Sequence, residues 1–211
     1  MLYPAMLNLT AKKVVVVGGG PVAARKAASL IAASAIVEVI SPEISEAMNE
    51  LIDRHQVKWK QKKFSPEDLA DALIIIAATN DREVNKSVQQ NASSFQLVNL
   101  VDNPAESDFF VPASFQKGKL CMAVSTNGAS PSVSKNIIRE LQQQFDDHYV
   151  DYLNFLEHCR TVVKQSFFDS SIRKVILKEL ASPAFAEKAR TASSMERKRL
   201  FTNLLKDWTD Q

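Results

Sequence analysis

The chain has 211 residues, 45% of them apolar, which is room for one ordinary domain plus an appendage or for two small domains and excludes global disorder. Lys and Arg total 26 against 24 Asp and Glu, and a formal net charge of +2 gives no ground for nucleic acid or a membrane surface as partner. Cys121 and Cys159 lie far apart, MLYPAMLNLTAKK lacks the charged start and apolar stretch of a secretory signal, and no apolar run approaches the ~20 residues of a membrane span. The expectation is a soluble cytoplasmic protein with reduced thiols.

From Lys13 to Asp102 short β-branched runs alternate with helical stretches, the pattern of a parallel sheet covered on both faces. Strands are predicted over 13–17 (KVVVV), 36–40 (IVEVI), 57–61 (VKWKQ), 73–78 (LIIIAA) and 97–101 (LVNLV), with helices near 21–33, 45–55 and 81–94. In the third strand Val57 and Trp59 alternate with Lys58 and Lys60, which fits an edge position; the unbroken fourth should be central. After Asp102 the pattern changes. FFVPASFQKGKLCMAVST holds two extended runs around a Gln-Lys-Gly-Lys turn, a hairpin, and Ser130 with Pro131 then reads as the N-cap and first position of a helix. Beyond Tyr149, Leu153, Leu156, Val162, Val163, Ile172, Val175, Ile176, Leu180, Leu200, Leu204 and Leu205 recur at helical spacing, with breaks at Phe168-Asp169 and Ser182-Pro183, so three or four short helices are expected. The fold class is α/β: a Rossmann-type parallel sheet over 1–108, a small α+β module over 109–148 and a helical C-terminal region over 149–211.

VVVVGGGPVAARKA places Gly18, Gly20 and Ala23 in G-x-G-x-x-A register between a predicted strand and a predicted helix. Gly18 permits the tight turn, Gly20 lets backbone approach a pyrophosphate, and Ala23 lets helix and strand pack. Pro21 wastes no hydrogen bond at the helix start, and the N–H groups from Val22 onward face the phosphates. Glu43, 20 residues beyond Ala23 at the end of the second strand, is the expected partner of the adenosine ribose, with the backbone of Ser41 and Pro42 beside it; Glu38, inside the strand, faces solvent or a neighbour. No Arg or Lys follows closely, so NAD is expected rather than NADP. Thr79 and Asn80 end the fourth strand on the same carboxyl edge, where ligands of open parallel sheets bind, and they fit equally a helix cap before Arg82.

Asp102 ends the fifth strand on that edge. A carboxylate there could take a proton during hydride transfer, and an Asp before Asn-Pro is just as often a turn residue bonding its own backbone. His55, His148 and His158 form no ligand-spaced cluster, and His158-Cys159 are adjacent on a helix and point about 100° apart, so no metal site is expected.

Four stretches, VVVVGGGPVAARKA, IIIAATNDREVN, VNLVDNPAESDFFVPA and MAVSTNGASPSVSKNIIREL, together resemble the precorrin-2 dehydrogenase family, which also forms the N-terminal part of fused siroheme synthases. The resemblance covers roughly residues 1–150. It implies NAD-dependent oxidation of precorrin-2 to sirohydrochlorin and, in some members, insertion of iron into the product to give siroheme, with ferrous or cobaltous ion as a substrate. The family's aspartate maps onto Asp102, and Asn99, which also matches, is an expected substrate-binding residue together with Ser125, Asn127 and Ser130 around the turn before the next helix. The resemblance further implies that the second module builds a homodimer. Lys117, Lys119, Lys135 and Arg139 are nearby candidates for the substrate's acidic side chains. Two departures are noted: Thr126 replaces a serine, and Asp108 adds negative charge near Asp102. The chain is too short for the methyltransferase half of the fused enzymes, so methylation is not expected. Two other readings use the same nucleotide fold: a regulatory NAD-binding module of the potassium-transport type, which would bind without turnover, and another NAD(P)-dependent reductase, which would want a catalytic Lys or His in the helical tail.

Overall fold

The structure, a computed structural model, describes residues 2–209, which divide into two compact units between Val111 and Pro112. In the first unit five parallel strands, β1 (Lys13–Val17), β2 (Ile36–Ile40), β3 (Val57–Lys60), β4 (Ile74–Ala77) and β5 (Leu97–Leu100), pair in the order β3-β2-β1-β4-β5. Helices α1 (Pro21–Ala32), α2 (Glu46–Asp53) and α3 (Arg82–Asn91) connect them. β3 is an edge strand as expected. β4 is interior, but the middle of the sheet belongs to β1.

The unbroken apolar runs of β1 and β4 follow from burial on both faces. Val14, Val16, Ile74 and Ile76 join Ala23, Ala24 and Ala27 of α1 and Met48 of α2 in one core, while Val15, Val17, Ile75 and Ala77 join Val88 of α3 and Leu69 in the other. Side chains alternate across a strand, so a strand covered twice must be apolar at every position. Glu38 is the polar exception in β2 and pairs with a neighbour: Lys60 of β3 meets its carboxylate, and Lys13 lies 3.9 Å away.

On its far side β5 has no neighbouring strand, and the returning chain closes it. The N–H of Val98 donates to the Asp108 carboxylate at 2.8 Å, the N–H of Leu100 donates to Ser107 Oγ at 2.9 Å, and Asp108 N–H returns a bond to Val98 O at 2.8 Å. An open sheet edge is thereby satisfied without a sixth strand. Asp108 serves the early part of β5. Phe109, placed by sequence pattern at the head of the second module, packs against the first unit's core. Asp108→Ala is expected to destabilise the first unit by about 1.5–3 kcal/mol, the worth of a hydrogen bond to a charged group, measurable by urea denaturation.

The second unit begins with the antiparallel hairpin β6 (Ala113–Lys117) and β7 (Leu120–Val124), on which α4 (Pro131–Gln143) packs. Its two-residue turn starts at Gly118, whose φ of +56° suits the first central position of a type II′ turn. Four helices follow: α5 (Asp147–Ser166), α6 (Ser170–Leu180), α7 (Pro183–Thr191) and α8 (Ser194–Thr209). Of these, α5 is 20 residues long and is no short helix. Both expected breaks are side-chain caps, Asp169 accepting from Ser171 N–H at 2.7 Å and Ser182 from Phe185 N–H at 3.2 Å. The break before α8 is a reciprocal box: Ser193 Oγ accepts from Glu196 N–H, and the Glu196 carboxylate accepts from Ser193 N–H at 2.8 Å. The S-x-x-E spacing that announces it was present in the sequence.

Tyr152, Cys159, Val163, Ile176, Leu180, Phe185, Ala189, Phe201 and Leu204 form the helical core. Burial pushes the Cys159 thiol up to about 12, so it packs as an inert apolar group, while neighbouring His158 is exposed. Arg197 is buried and holds the end of α7, its Nε donating to Ala189 O at 2.7 Å and its NH2 to Arg190 O at 2.9 Å. Arg197→Ala leaves those terminal carbonyls without their cation. The expected loss is about 2–3 kcal/mol in the second unit, read as a lower denaturation midpoint.

Candidate active site

The glycine turn takes its shape from its neighbours. Gly18 has φ +123°, and a Cβ there would meet Ala78 O at 2.4 Å; at Gly19 it would meet Glu43 O at 2.1 Å. Gly19 has no position in the dinucleotide motif, since its role depends on a loop that arrives from the end of β2. Gly20 differs from both. Its φ of −73° is open to any residue, and a Cβ would find nothing within 4 Å. The protein itself therefore has no need of glycine at 20, and the empty space lies at the start of α1, where a phosphate would need it. Gly20 caps α1 without a side-chain bond and the first turn carries no acid; the N–H groups of Val22 and Ala23 precede the first helical bond, from Ala24 to Gly20 O. Ala23, fully buried, seats the helix on the sheet. These features fit a dinucleotide pyrophosphate.

A cleft of about 650 Å³ runs along the carboxyl ends of β1, β2 and β4, lined by Gly18 to Gly20, Ser41 to Ser45 and Ala78 to Asp81. It brings together Gly18, Gly20, Ser41, Pro42, Glu43, Thr79 and Asn80. Ser41 donates from Oγ to Glu43 O at 2.6 Å and accepts at its carbonyl from Trp59 Nε1 at 2.9 Å, so it shapes the loop that carries the exposed Glu43. Lys63 and Phe64 also line this cleft. No Arg or Lys follows Glu43 closely in sequence, but β3 lies beside β2, and the loop after β3 delivers Lys63 to the cleft.

Thr79 is fixed by Asn85, buried in α3. Its Oγ1 bonds Asn85 Oδ1 at 2.7 Å, and its N–H donates to the same oxygen at 3.2 Å. The helix cap is Asp81, which accepts from Glu83 N–H at 2.9 Å, so neither Thr79 nor Asn80 performs that job.

Asp102 lies two residues past β5, exposed, just before the 3-10 turn Pro104–Glu106. Among the described residues its carboxylate has no hydrogen bond or ion pair. It is not among the residues lining the cleft. Asn99 is buried in β5 and donates from Nδ2 to Phe109 O at 2.9 Å, holding the exit of the chain.

In the second unit Asn127 stands at φ +52°, its N–H donating to Ser125 Oγ at 3.1 Å, and Ser130 Oγ accepts from Val133 N–H at 3.3 Å. Thr126 is the hub of this turn: its Oγ1 accepts from Ser130 N–H at 3.0 Å and donates to Ser130 O at 3.0 Å. Lys117 pairs with Asp147 at 3.0 Å, Lys119 with Glu157, and Arg139 donates to Asn136 at 3.2 Å. Among the described residues no three His, Cys, Asp or Glu side chains group as a metal site would need.

Strand order, glycine turn and edge cleft define a dinucleotide-binding Rossmann domain with an appended hairpin and helical region. Residues 5–113 match a family model described as putative NAD(P)-binding, and residues 149–193 match one described as SirC C-terminal domain. The chain is 36% identical over 179 residues to a precorrin-2 dehydrogenase of Priestia megaterium, covering 85% of this chain and 89% of that one. It is 33% identical over 157 residues to a precorrin-2 dehydrogenase of Bacillus subtilis (strain 168), covering 74% and 97%. A solved structure, "SirC, precorrin-2 dehydrogenase", superposes with a TM-score of 0.79 at 32% identity, covering 97% of this chain and 100% of that one. The chain belongs to the precorrin-2 dehydrogenase family.

Proposed function

We propose that this protein oxidises precorrin-2 to sirohydrochlorin with NAD in siroheme biosynthesis. The observation that carries the reading is the likeness to a precorrin-2 dehydrogenase over 89% of that protein's length, joined to a glycine turn that leaves room for a phosphate. Bound NAD supplies the acceptor for the hydride that the reduced macrocycle gives up. Gly18, Gly20, Pro21 and Val22 receive the pyrophosphate through backbone, Glu43 with the Ser41 and Pro42 backbone holds the adenosine ribose, and Thr79 with Asn80 borders the cleft. Asp102 accepts the proton released as hydride leaves. Ser125, Asn127, Ser130 and the first turn of α4 offer donors to the substrate's acetate and propionate groups, and Asn99 keeps the strand end in place.

Family membership disfavours a purely regulatory NAD-binding module. Further parts of the proposal are a homodimer, a cytoplasmic location and iron insertion as a second activity. Dimerisation is supported by the hairpin: it has only two strands and no fully buried residue, a marginal sheet unless something more covers it. The two free cysteines suit a reducing compartment. Purified protein mixed with precorrin-2 and NAD should yield NADH and the visible band of sirohydrochlorin in step. No NADH above the protein-free control would refute the activity. Replacing NAD by NADP in the same assay tests coenzyme choice, and adding ferrous or cobaltous ion tests insertion through loss of the sirohydrochlorin band.

A further inference from the structure

Ser45 is the N-cap residue of α2, with the extended backbone of that position (φ −76°, ψ 161°), yet its side chain caps nothing. The first turn bonds instead to its carbonyl, Met48 N–H at 3.0 Å and Asn49 N–H at 2.9 Å. The hydroxyl oxygen is buried and makes no hydrogen bond to any described residue. A serine at this position ordinarily turns its oxygen onto its own helix, and a buried hydroxyl without a partner is unfavourable. Ser45 is among the residues that border the cleft. Its backbone is fixed there, since Ser45 N–H donates to Gly19 O at 2.8 Å, and Glu43 stands two residues earlier in the same loop.

We infer that Ser45 is a further cofactor-binding residue whose hydroxyl completes its hydrogen bonding on the adenosine diphosphate half of the dinucleotide. The inference rests on the cofactor reading above. Ser45 stands between the glycine turn assigned to the pyrophosphate, to which its N–H is bonded, and the acid assigned to the adenosine ribose, so the ADP half is the part its hydroxyl reaches once the side chain turns out of its buried position. No motif position called for it, because the dinucleotide fingerprint specifies the turn and the acid and leaves the following loop free.

The test is calorimetric titration of the whole chain, wild type and Ser45→Ala, with ADP-ribose and separately with nicotinamide mononucleotide, plus thermal melts without ligand. Loss of one hydrogen bond predicts affinity for ADP-ribose weaker by about 3- to 10-fold, with mononucleotide binding and the ligand-free melting temperature unchanged. Equal ADP-ribose affinity in the two proteins overturns the inference. So does a variant that melts lower without ligand, since the hydroxyl would then be serving the helix. Failure of the wild type itself to bind ADP-ribose would overturn the cofactor reading as well.

Discussion

Asp102→Ala is expected to slow precorrin-2 oxidation by about 100- to 10,000-fold, the usual worth of a positioned general base, while NAD binding and melting temperature stay close to wild type. The two halves of that expectation have separate grounds. Asp102 is exposed and bonds to no described residue, so its removal takes no support from the fold, and it lies outside the lining of the cofactor cleft. Its place past the carboxyl end of β5 puts it on the sheet edge where ligands of open parallel sheets bind. Asp102→Asn separates two duties. If the amide variant is as slow as the alanine variant, the carboxylate is needed for the proton; if it retains most of the rate, the side chain orients the macrocycle. Near-wild-type NADH formation by Asp102→Ala would remove the assignment altogether.

The second large effect contrasts two glycines of one motif. Gly18→Val should destabilise the first unit by more than about 3 kcal/mol, because φ +123° is itself costly for a side chain and the new Cβ would lie 2.4 Å from Ala78 O, a backbone atom that cannot swing aside. Gly20→Val should fold normally, since its backbone suits any residue and nothing lies within 4 Å of the added atom. Its cost falls on the ligand. Forcing a pyrophosphate away from the start of α1 is worth on the order of 2–3 kcal/mol, or about 30- to 150-fold in NAD affinity. Urea melts and fluorescence titration with NAD should therefore sort the pair, one losing stability and the other losing affinity. A Gly20→Val protein that binds NAD as wild type does would contradict the phosphate assignment.

What could be read directly was what depends on neighbours in the chain. The five strands fall within a residue or so of their expected bounds because burial on both faces leaves a local record, as in Val14 to Val17 and Ile74 to Ile76. Gly18, Gly20 and Ala23 are legible for the same reason: turn, phosphate approach and helix seat are adjacent steps along one backbone. The Ser193 to Glu196 box is equally local, an S-x-x-E spacing that marks the start of α8.

Other features have no local record. The bond from Val98 N–H to the Asp108 carboxylate depends on the chain's return along β5, and Lys63 enters the cofactor cleft because β3 lies beside β2. Thr126, read as a departure from the family pattern, proved to be the centre of its turn. By itself the sequence determined the nucleotide fold and the glycine turn, because these rest on periodicity and short spacing, and it offered Asp102 as the residue to test through the family resemblance of the stretches around it. Only the tertiary structure decided which glycine serves the protein and which leaves room for a ligand, and which hydroxyl at the cleft lacks a partner. Those depend on atoms far apart in sequence that meet within a few ångströms.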